Sequence, residues 1–355
     1  MPSQAIIPSS IRTIQTKFTP QIPKRWQYQF QFGIQTFTLK PFKSLASNAR
    51  QTVAHPDTAS TKVDRLTQNQ GLTEALAGMV ARLGVVTPSS LVNCDHSDFK
   101  GLMAFVGAVQ TGKGRAVPVL VGTGYSPRLS ALATAPKRTQ ALRQAYRRQE
   151  YHLYEQAARE LVAFRERLGF WPRLVFDRGF GGLPLVRFLV EQEATFYVRL
   201  KADRYVELAG QRVRAGALRS NDSRVRLQGL ELRLVRSPIP AEGEPWYILT
   251  SDFTSSAKRI VKIYYYRFEI EETFKDLKHV LDLEQAKLTR PLSLKVLLWF
   301  ASLTFILAYL VTKAGAWLPR RHPKKQTSWF KQFFEALQRE LGEQLGLVLT
   351  GGPAK

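Results

Sequence analysis

The segment 264–278 concentrates residue types that could act on a phosphate. A tyrosine, an arginine, a glutamate and a lysine occur there as Tyr264, Arg267, Glu271 and Lys278. On an α-helix, which turns by about 100° per residue, these four side chains fall within a stripe of about 60°. A carboxylate beside an arginine and a lysine suits a metal ligand next to phosphates. Arg can donate two hydrogen bonds to one phosphate, and Lys supplies a compact positive charge. The alternative is an ordinary i,i+4 ion pair between Arg267 and Glu271.

The same projection places the other residues of this segment, which we predict to be one helix within 255–283. The apolar side chains form a neighbouring, buried stripe: Ile263, Ile270, Phe274, Leu277 and Leu281. The remaining acidic residues, Glu269, Glu272 and Asp276, are predicted to point to the opposite, solvated side. The projection therefore selects Glu271 as the one glutamate available to the polar stripe.

Two aspartates follow short apolar runs elsewhere in the chain. Asp95 closes the run 91–95 and Asp177 closes the run 172–177, so both are predicted to end β-strands. Adjacent strands of one sheet would bring the two carboxylates side by side. Clusters of carboxylates bind Mg²⁺, and two such ions can bridge a scissile phosphate, generate the nucleophile and stabilise the leaving oxygen. Helix capping is the alternative role for acids at strand ends.

Three neighbours of Asp95 are weaker candidates. Asp98 is expected to point to the opposite face of the strand. His96 is interpreted as a surface or loop histidine, because metal activation of water makes a histidine base unnecessary. Cys94, the only cysteine, is expected to be a small core residue, and its isolation excludes internal disulfides and cysteine-based zinc clusters.

Charge and apolar content restrict the class of protein. The 355 residues carry a formal net charge of +24, and 44% of them are hydrophobic. Such an excess indicates a polyanionic partner, with nucleic acid as the first expectation and a merely basic soluble protein as the alternative. The first thirty residues lack a secretory signal, so we expect the protein to stay inside the cell. The apolar run 296–312 is interpreted as a buried core helix rather than a membrane span.

The order of elements predicts a mixed α/β unit. Three apolar runs at 91–95, 103–110 and 115–122 are typical of consecutive antiparallel strands. A long helix over about 136–168 follows, with a basic surface at Arg138, Arg143, Arg147 and Arg148 that either tracks DNA or faces solvent. The next predicted elements are a strand at 172–177, a helix over 184–192, a strand at 195–200 and a β-rich block over about 201–244.

The two ends of the chain have sequence patterns that differ from those of the predicted α/β unit. Aromatic and apolar residues alternate with glutamines over 26–35, which is typical of a strand although a helix is also possible, and a helix is predicted over 66–83. After the apolar helix at 292–313, a basic hinge at 320–325 precedes an amphipathic helix over about 329–345. The hinge suits a phosphate contact or a plain linker.

Taken together, these motifs resemble the DDE transposases of bacterial insertion sequences, of the insertion-sequence-four type. The Tyr-Arg-Glu-Lys signature of that group is complete at Tyr264, Arg267, Glu271 and Lys278. The segments NCDHSDF (93–99) and VFDRGF (175–180) look like its two aspartate segments. The resemblance covers roughly residues 90–313.

The resemblance implies a fold class and a division of the chain. The fold is an RNase H-like α/β core with a mixed sheet, a β-rich insertion, and helical N- and C-terminal segments. The expected parts are a DNA-binding segment at 1–88, the two portions of the core at 89–200 and 255–315, the insertion at 201–254, and the hinge with its helix at 316–355.

It also implies an activity and a site. Asp95, Asp177 and Glu271 would coordinate two Mg²⁺ ions, for which Mn²⁺ can substitute. The DNA-binding residues would be Tyr264, Arg267, Lys278, Trp246 and Arg178. Within that set, Trp246 either stacks on a base flipped from the transposon end or is buried under the insertion.

The substrates would be double-stranded terminal inverted repeats and target DNA, bound by a homodimer and without a membrane. The enzyme would hydrolyse phosphodiesters at the ends and transfer strands by transesterification. A DNA nuclease without strand transfer and an inactive, DNA-binding transposition inhibitor are the alternatives.

Overall fold

The structure, a computed structural model, describes residues 24, 65–126, 153–238, 244–281, 283–285, 288, 290–313 and 328–336. Three predicted features lie wholly outside these residues: the alternating run at 26–35, the four arginines between 138 and 148, and the basic hinge at 320–325. The predicted division of the chain into parts remains a prediction.

One mixed sheet of ten strands organises the described residues, in the order β3-β2-β1-β4-β5-β10-β9-β8-β6-β7. The strands are β1 (Leu91–Phe99), β2 (Leu102–Val109), β3 (Val117–Tyr125), β4 (Arg173–Phe176), β5 (Phe196–Leu200), β6 (Tyr205–Leu208), β7 (Gln211–Arg214), β8 (Asp222–Leu227), β9 (Leu230–Arg236) and β10 (Tyr247–Thr250).

The first half of the sheet has the predicted character. β1, β2 and β3 form consecutive antiparallel pairs, whereas β4 pairs in parallel with both β1 and β5. Parallel pairs require crossovers, and helices α2 (Leu153–Leu168) and α3 (Leu183–Glu191) lie in the connections that lead into β4 and β5. The expectation of a mixed α/β unit is confirmed.

The β-rich block continues the same sheet. β10 pairs in antiparallel fashion with β5 on one side and with β9 on the other, so the strands after β5 extend the edge that β5 presents. The β-rich block predicted over about 201–244 contains β6, β7, β8 and β9, and β10 lies beyond it. Among the described residues β7 pairs with β6 alone, as the second strand of an antiparallel hairpin.

An apolar helix fills one side of the core. Helix α6 (Pro291–Lys313) is long and apolar enough to cross a membrane, yet 78% of its most apolar window is buried inside the protein. It packs on β3, on β2 and on α1 (Gln70–Arg82), whose first turn is capped by the Asn69 side chain. The Phe305 ring stacks on Phe330 of the helix at 329–336, with ring centroids 3.5 Å apart. The prediction of a buried core helix at 296–312 is confirmed.

The predicted helix over 255–283 is broken into three pieces. Helix α4 (Ala257–Tyr265) begins at the cap Ser256, α5 spans Phe268–Lys275, and a π-helical turn follows at Asp276–Val280. At the break, the amide of Arg267 donates to the carbonyl of Tyr264 at 3.0 Å, a three-residue step that tightens the backbone. The expectation of one continuous helix was wrong, because residues 266–267 leave the α-helical ladder.

The prediction that the opposite face of this helix is solvated was also wrong for two of its three acids. Glu269 is buried and accepts hydrogen bonds from the backbone amides of Thr111 and Gly114, both at 2.8 Å. Asp276 is buried against Arg115, whose Nε lies 2.7 Å from its carboxylate. The turn between β2 and β3 covers this side of α5, a tertiary contact that a helical projection cannot show.

Glu269 should therefore stabilise the fold. Glu269→Gln replaces one of the two accepting oxygens with an NH2 group that faces a backbone amide, and we expect it to lower the free energy of unfolding by about 1–3 kcal/mol. Denaturant unfolding at neutral pH measures the loss. Glu272→Gln is the matched control on the same helix: its half-exposed carboxylate pairs with Arg115 and Lys275, so its cost should stay within about 0.5 kcal/mol. Equal costs for the two variants would contradict the structural role of Glu269.

Candidate active site

The pairing of β1 with β4 brings the two predicted aspartates together. Cys94 lies opposite Phe176 in the parallel register, so Asp95 and Asp177 are the next residues along two neighbouring strands. The sequence predicts that Asp95 ends β1, but the strand continues to Phe99 and stays paired with β2. β4 ends at Phe176, which pairs with Cys94. Beyond this pair β4 no longer covers the edge of β1, and Asp95 lies there.

Asp177 is not used as a helix cap. It occupies the cap position of the 3₁₀ turn Arg178–Phe180, but its side chain forms no capping hydrogen bond there. Its carboxylate is close enough to Asp95 to act on it electrostatically. This removes the capping alternative for Asp177, and Arg178 follows it as an exposed side chain.

A buried amide docks the break between α4 and α5 onto the sheet. Asn93 is fully buried, and its side-chain nitrogen donates to the carbonyl of Tyr266 at 3.0 Å and to that of Arg267 at 3.4 Å. The Asn93 side-chain oxygen accepts from Gln110 at 2.7 Å, and Gln110 also donates to the carbonyl of Ile263 at 3.1 Å. The carbonyls of Tyr266 and Arg267 also accept from the amides of Glu269 and Ile270, at 3.1 and 3.2 Å, so Asn93 gives each of them a second donor.

Sequence reasoning missed Asn93 and Gln110. A signal was present, because Asn93 precedes Asp95 by two residues and so lies on the same face of β1. A side-chain amide inside an apolar strand needs a buried partner. Its partners are backbone groups more than 170 residues away, which no local pattern reveals.

Arg267 lies between two of the predicted carboxylates. One nitrogen of its buried guanidinium is 3.4 Å from Asp95, and another pairs closely with Glu271. The predicted i,i+4 ion pair between Arg267 and Glu271 therefore forms. It is not an exposed surface pair, since only 6% of the Arg267 side chain is exposed. Glu271 itself is 44% exposed, which leaves part of its carboxylate facing solvent.

Electrostatics make Asp95 unusual. Burial raises the pKa of Asp95 to about 7, the amide of His96 and the charge of Arg267 oppose that rise, and the charges of Asp177 and Glu271 add to it. Three carboxylates thus interact at one place, with one guanidinium to balance them. Such a site favours the binding of a further cation.

Two buried donors beside these carboxylates lack an acceptor within the described residues: the hydroxyl of Tyr264 and Nε of Arg267. Tyr264 is 1% exposed, and burial, with the charge of Asp177 contributing, raises the pKa of its phenol so that it keeps its proton. Buried donors are almost always paired. Their position next to Asp95 and Asp177 fits an anionic acceptor such as a phosphate oxygen.

Lys278 and Trp246 occupy the margins of this group. The Lys278 ammonium donates to the carbonyl of Asp98 at 2.7 Å, pairs with Glu284 at 3.0 Å, and lies 5.1 Å from the centre of the Phe99 ring. It therefore stands near the end of β1.

Trp246 directly precedes β10 and does not belong to it. The tryptophan is half-buried and packs edge-on against Tyr264 at 5.3 Å, with Phe268 at 6.0 Å.

The weaker candidates have structural positions. The Asp98 carboxylate accepts from the amide of Gly101 at 2.9 Å and so fixes the turn between β1 and β2. His96 belongs to β1 and is half-buried against Phe180, so the expectation of a surface or loop histidine was wrong; burial lowers its pKa. Cys94 is fully buried, as predicted.

The proposed donor set fits a hard divalent cation in its chemistry, because it consists of three carboxylates and includes no thiolate. As placed, no three acidic, histidine or cysteine side chains in the described parts of the chain converge closely enough to hold an ion. The Arg267 guanidinium bridges Asp95 and Glu271 through one oxygen of each carboxylate.

Asp95→Asn tests the electrostatics of this group. The unfolded chain releases the Asp95 proton near pH 4, whereas the folded chain holds it up to about pH 7, so rising pH in that window favours unfolding. We expect the variant to be more stable than the wild type at about pH 8 by on the order of a few kcal/mol, and the difference to vanish towards about pH 4. Urea unfolding at several pH values in a chelator measures it. A wild type that is the more stable of the two at pH 8 would show that Arg267 over-compensates the burial.

Comparisons with known proteins show what part of this chain resembles. Residues 139–307, just under half of the chain, match a family model described as Transposase DDE domain. No curated protein sequence matches the chain. A cryo-EM structure of the piggyBac transposase synaptic complex with hairpin DNA is 13% identical, covering 92% of this chain and 73% of that one at a TM-score of 0.47, which does not establish a common fold. The matched segment includes Asp177 and Glu271.

Proposed function

We propose that this protein is a cut-and-paste DNA transposase whose catalytic carboxylates are Asp95, Asp177 and Glu271. One observation carries the proposal: the parallel register of β1 and β4 places Asp95 beside Asp177, and Arg267 bridges Asp95 and Glu271, although Glu271 lies 176 positions after Asp95 in the sequence. The family match over 139–307 supports the same conclusion.

The core is proposed to be RNase H-like. The order β3-β2-β1-β4-β5, with antiparallel pairs first and parallel pairs after, supports that proposal. The strands between β5 and α4 are the proposed insertion at 201–254, which supports the insertion-sequence-four type. The segments 1–88 and 316–355 are proposed as DNA-binding and hinge regions.

Asp95, Asp177 and Glu271 would hold two Mg²⁺ ions, with Mn²⁺ as a substitute, and these would supply a metal-activated water and stabilise the leaving oxygen. The chain's own residues would position the phosphate. The Tyr264 hydroxyl and Arg267 Nε, both buried without an acceptor among the described residues, would donate to its oxygens. Lys278 and Arg178 would add positive charge on either side.

The proposed substrates are duplex terminal inverted repeats, cleaved to leave a 3′-OH that then attacks target DNA. We propose a homodimer in the DNA complex, acting in the bacterial cytoplasm. A stacking role of Trp246 stays a prediction; the edge-on contact with Tyr264 would place a stacked base next to the phosphate donors. A nuclease without strand transfer is the second candidate, and an assay that scores joining as well as cleavage separates the two.

Substitution of neighbouring glutamates tests the assignment. Glu271→Gln keeps size and hydrogen bonding but removes the charge that a hard cation requires, so end cleavage in Mg²⁺ should fall by at least about a hundredfold while DNA affinity survives. Glu272→Gln, one residue along and paired with Arg115 and Lys275 at the surface, should cleave like the wild type. Asp95→Asn and Asp177→Asn should behave like Glu271→Gln.

The assay uses the full chain, a duplex of its own element end, and a parallel binding titration for each variant. An active Glu271→Gln beside a dead Glu272→Gln would refute the third ligand. Retained cleavage in all three carboxylate variants would refute the proposed function.

A further inference from the structure

A large basic cleft opens next to Asp177. It encloses about 880 Å³ between the 3₁₀ turn Arg178–Phe180 and the strands β6, β7 and β8. We call it the basic cleft. Its lining carries five cationic side chains, from the turn, from the segment between β5 and β6, from β7 and from β8: Arg178, Lys201, Arg204, Arg212 and Arg226.

These five cations are available to a ligand. Within the part of the chain that the structure describes, none of them forms an ion pair, although two carboxylates, Asp203 and Glu207, also line the cleft. Elsewhere, cations such as Arg233 and Lys295 are held by Asp222 and Glu160. Unpaired like charges around one space repel one another, so their grouping implies an anion that offsets the cost.

One of the cations is held in place by an aromatic ring. The Arg212 guanidinium lies 4.3 Å from the centre of the Tyr205 ring, and Tyr205 is 41% exposed at the cleft. The Tyr205 hydroxyl accepts a hydrogen bond of 3.3 Å from Arg214. Stacking on a fixed ring restricts the rotamers of Arg212, which lowers the entropic cost of binding an anion there.

The opposite wall is fixed as well. The Tyr154 hydroxyl donates to the carbonyl of Gly179 at 3.3 Å. Its ring packs so closely on Gly182 that any Cβ there would collide with it. The turn that carries Arg178 therefore has a defined position one residue beyond Asp177.

We propose that the basic cleft binds the phosphodiester backbone of a DNA strand and directs it to the scissile phosphate at Asp177. An extended polyanion fits better than a single phosphate, because the five cations come from four separate segments and line a cleft of about 880 Å³, which is far larger than one phosphate group. The inference rests on the proposed function and adds to it the path that the strand follows outside the carboxylate group.

The test removes two cleft cations that lie far from the carboxylates in sequence. In the double variant Arg212→Ala/Arg226→Ala, the slope of log affinity against log salt for an element-end duplex should fall by about two units. Affinity is followed by fluorescence anisotropy at several salt concentrations without divalent metal. The control, Arg159→Ala/Arg167→Ala, loses the same net charge from exposed positions on α2 that do not line the cleft, and its slope should match the wild type.

A second pair of variants tests the role of the ring. Tyr205→Phe keeps the surface on which Arg212 stacks and should bind DNA within about twofold of the wild type. Tyr205→Ala loses it and should bind several-fold more weakly. Equal affinities for these two variants would contradict the positioning of Arg212 by Tyr205.

Cleavage of the same duplex in Mg²⁺ separates this inference from the proposed function. A wild-type slope in the double cleft variant, from a protein that cleaves normally, would overturn the cleft and leave the transposase intact. A reduced slope in a protein that never cleaves would support the cleft and overturn the activity. A wild-type protein that binds no DNA would overturn both.

Discussion

The geometry of the site depends on how a helix end is held against a strand. Asn93, buried in β1, offers its amide to two carbonyls at the junction of α4 and α5, and Gln110 from the end of β2 supports both the amide and the helix. An unsatisfied buried amide would cost about 1–3 kcal/mol, so the junction is confined to the one place where these partners meet. Because Asp95 lies two residues beyond Asn93, that confinement also sets the position of Arg267 and Glu271 relative to Asp95.

Charge balance is the second constraint on this arrangement. A buried aspartate beside two further carboxylates is unfavourable unless cations share the space, and Arg267 supplies one within contact of Asp95 and Glu271. The pKa of Asp95 nevertheless remains raised, to about 7, so the guanidinium compensates only part of the burial and repulsion. The residual imbalance is what a divalent cation would relieve.

Sequence patterns were informative where the pattern is local. The three antiparallel strands and the buried helix α6 follow from periodicity and residue type, whereas the single stripe predicted for Tyr264, Arg267, Glu271 and Lys278 assumed one helix, which the structure breaks at residues 266–267. The same logic failed at Glu269 and Asp276, because the loop between β2 and β3 folds over a face that a helical projection leaves open. It also missed the docking by Asn93 and the basic cleft, since both depend on which distant strands become neighbours.

The strand pairing around β5 has a mechanical consequence. β5 bonds to β4 on one side and to β10 on the other, and β10 bonds in turn to β9, so a continuous hydrogen-bonded ladder joins the β-rich strands to β4, which ends one residue before Asp177. A ladder of this kind resists hinge bending between its strands. The distance from the cleft wall on β8 to Asp177 is therefore set by the pairing of the strands between them. Adaptation to DNA of different curvature would therefore require rotation of side chains and bending of the DNA, because the strands keep their positions.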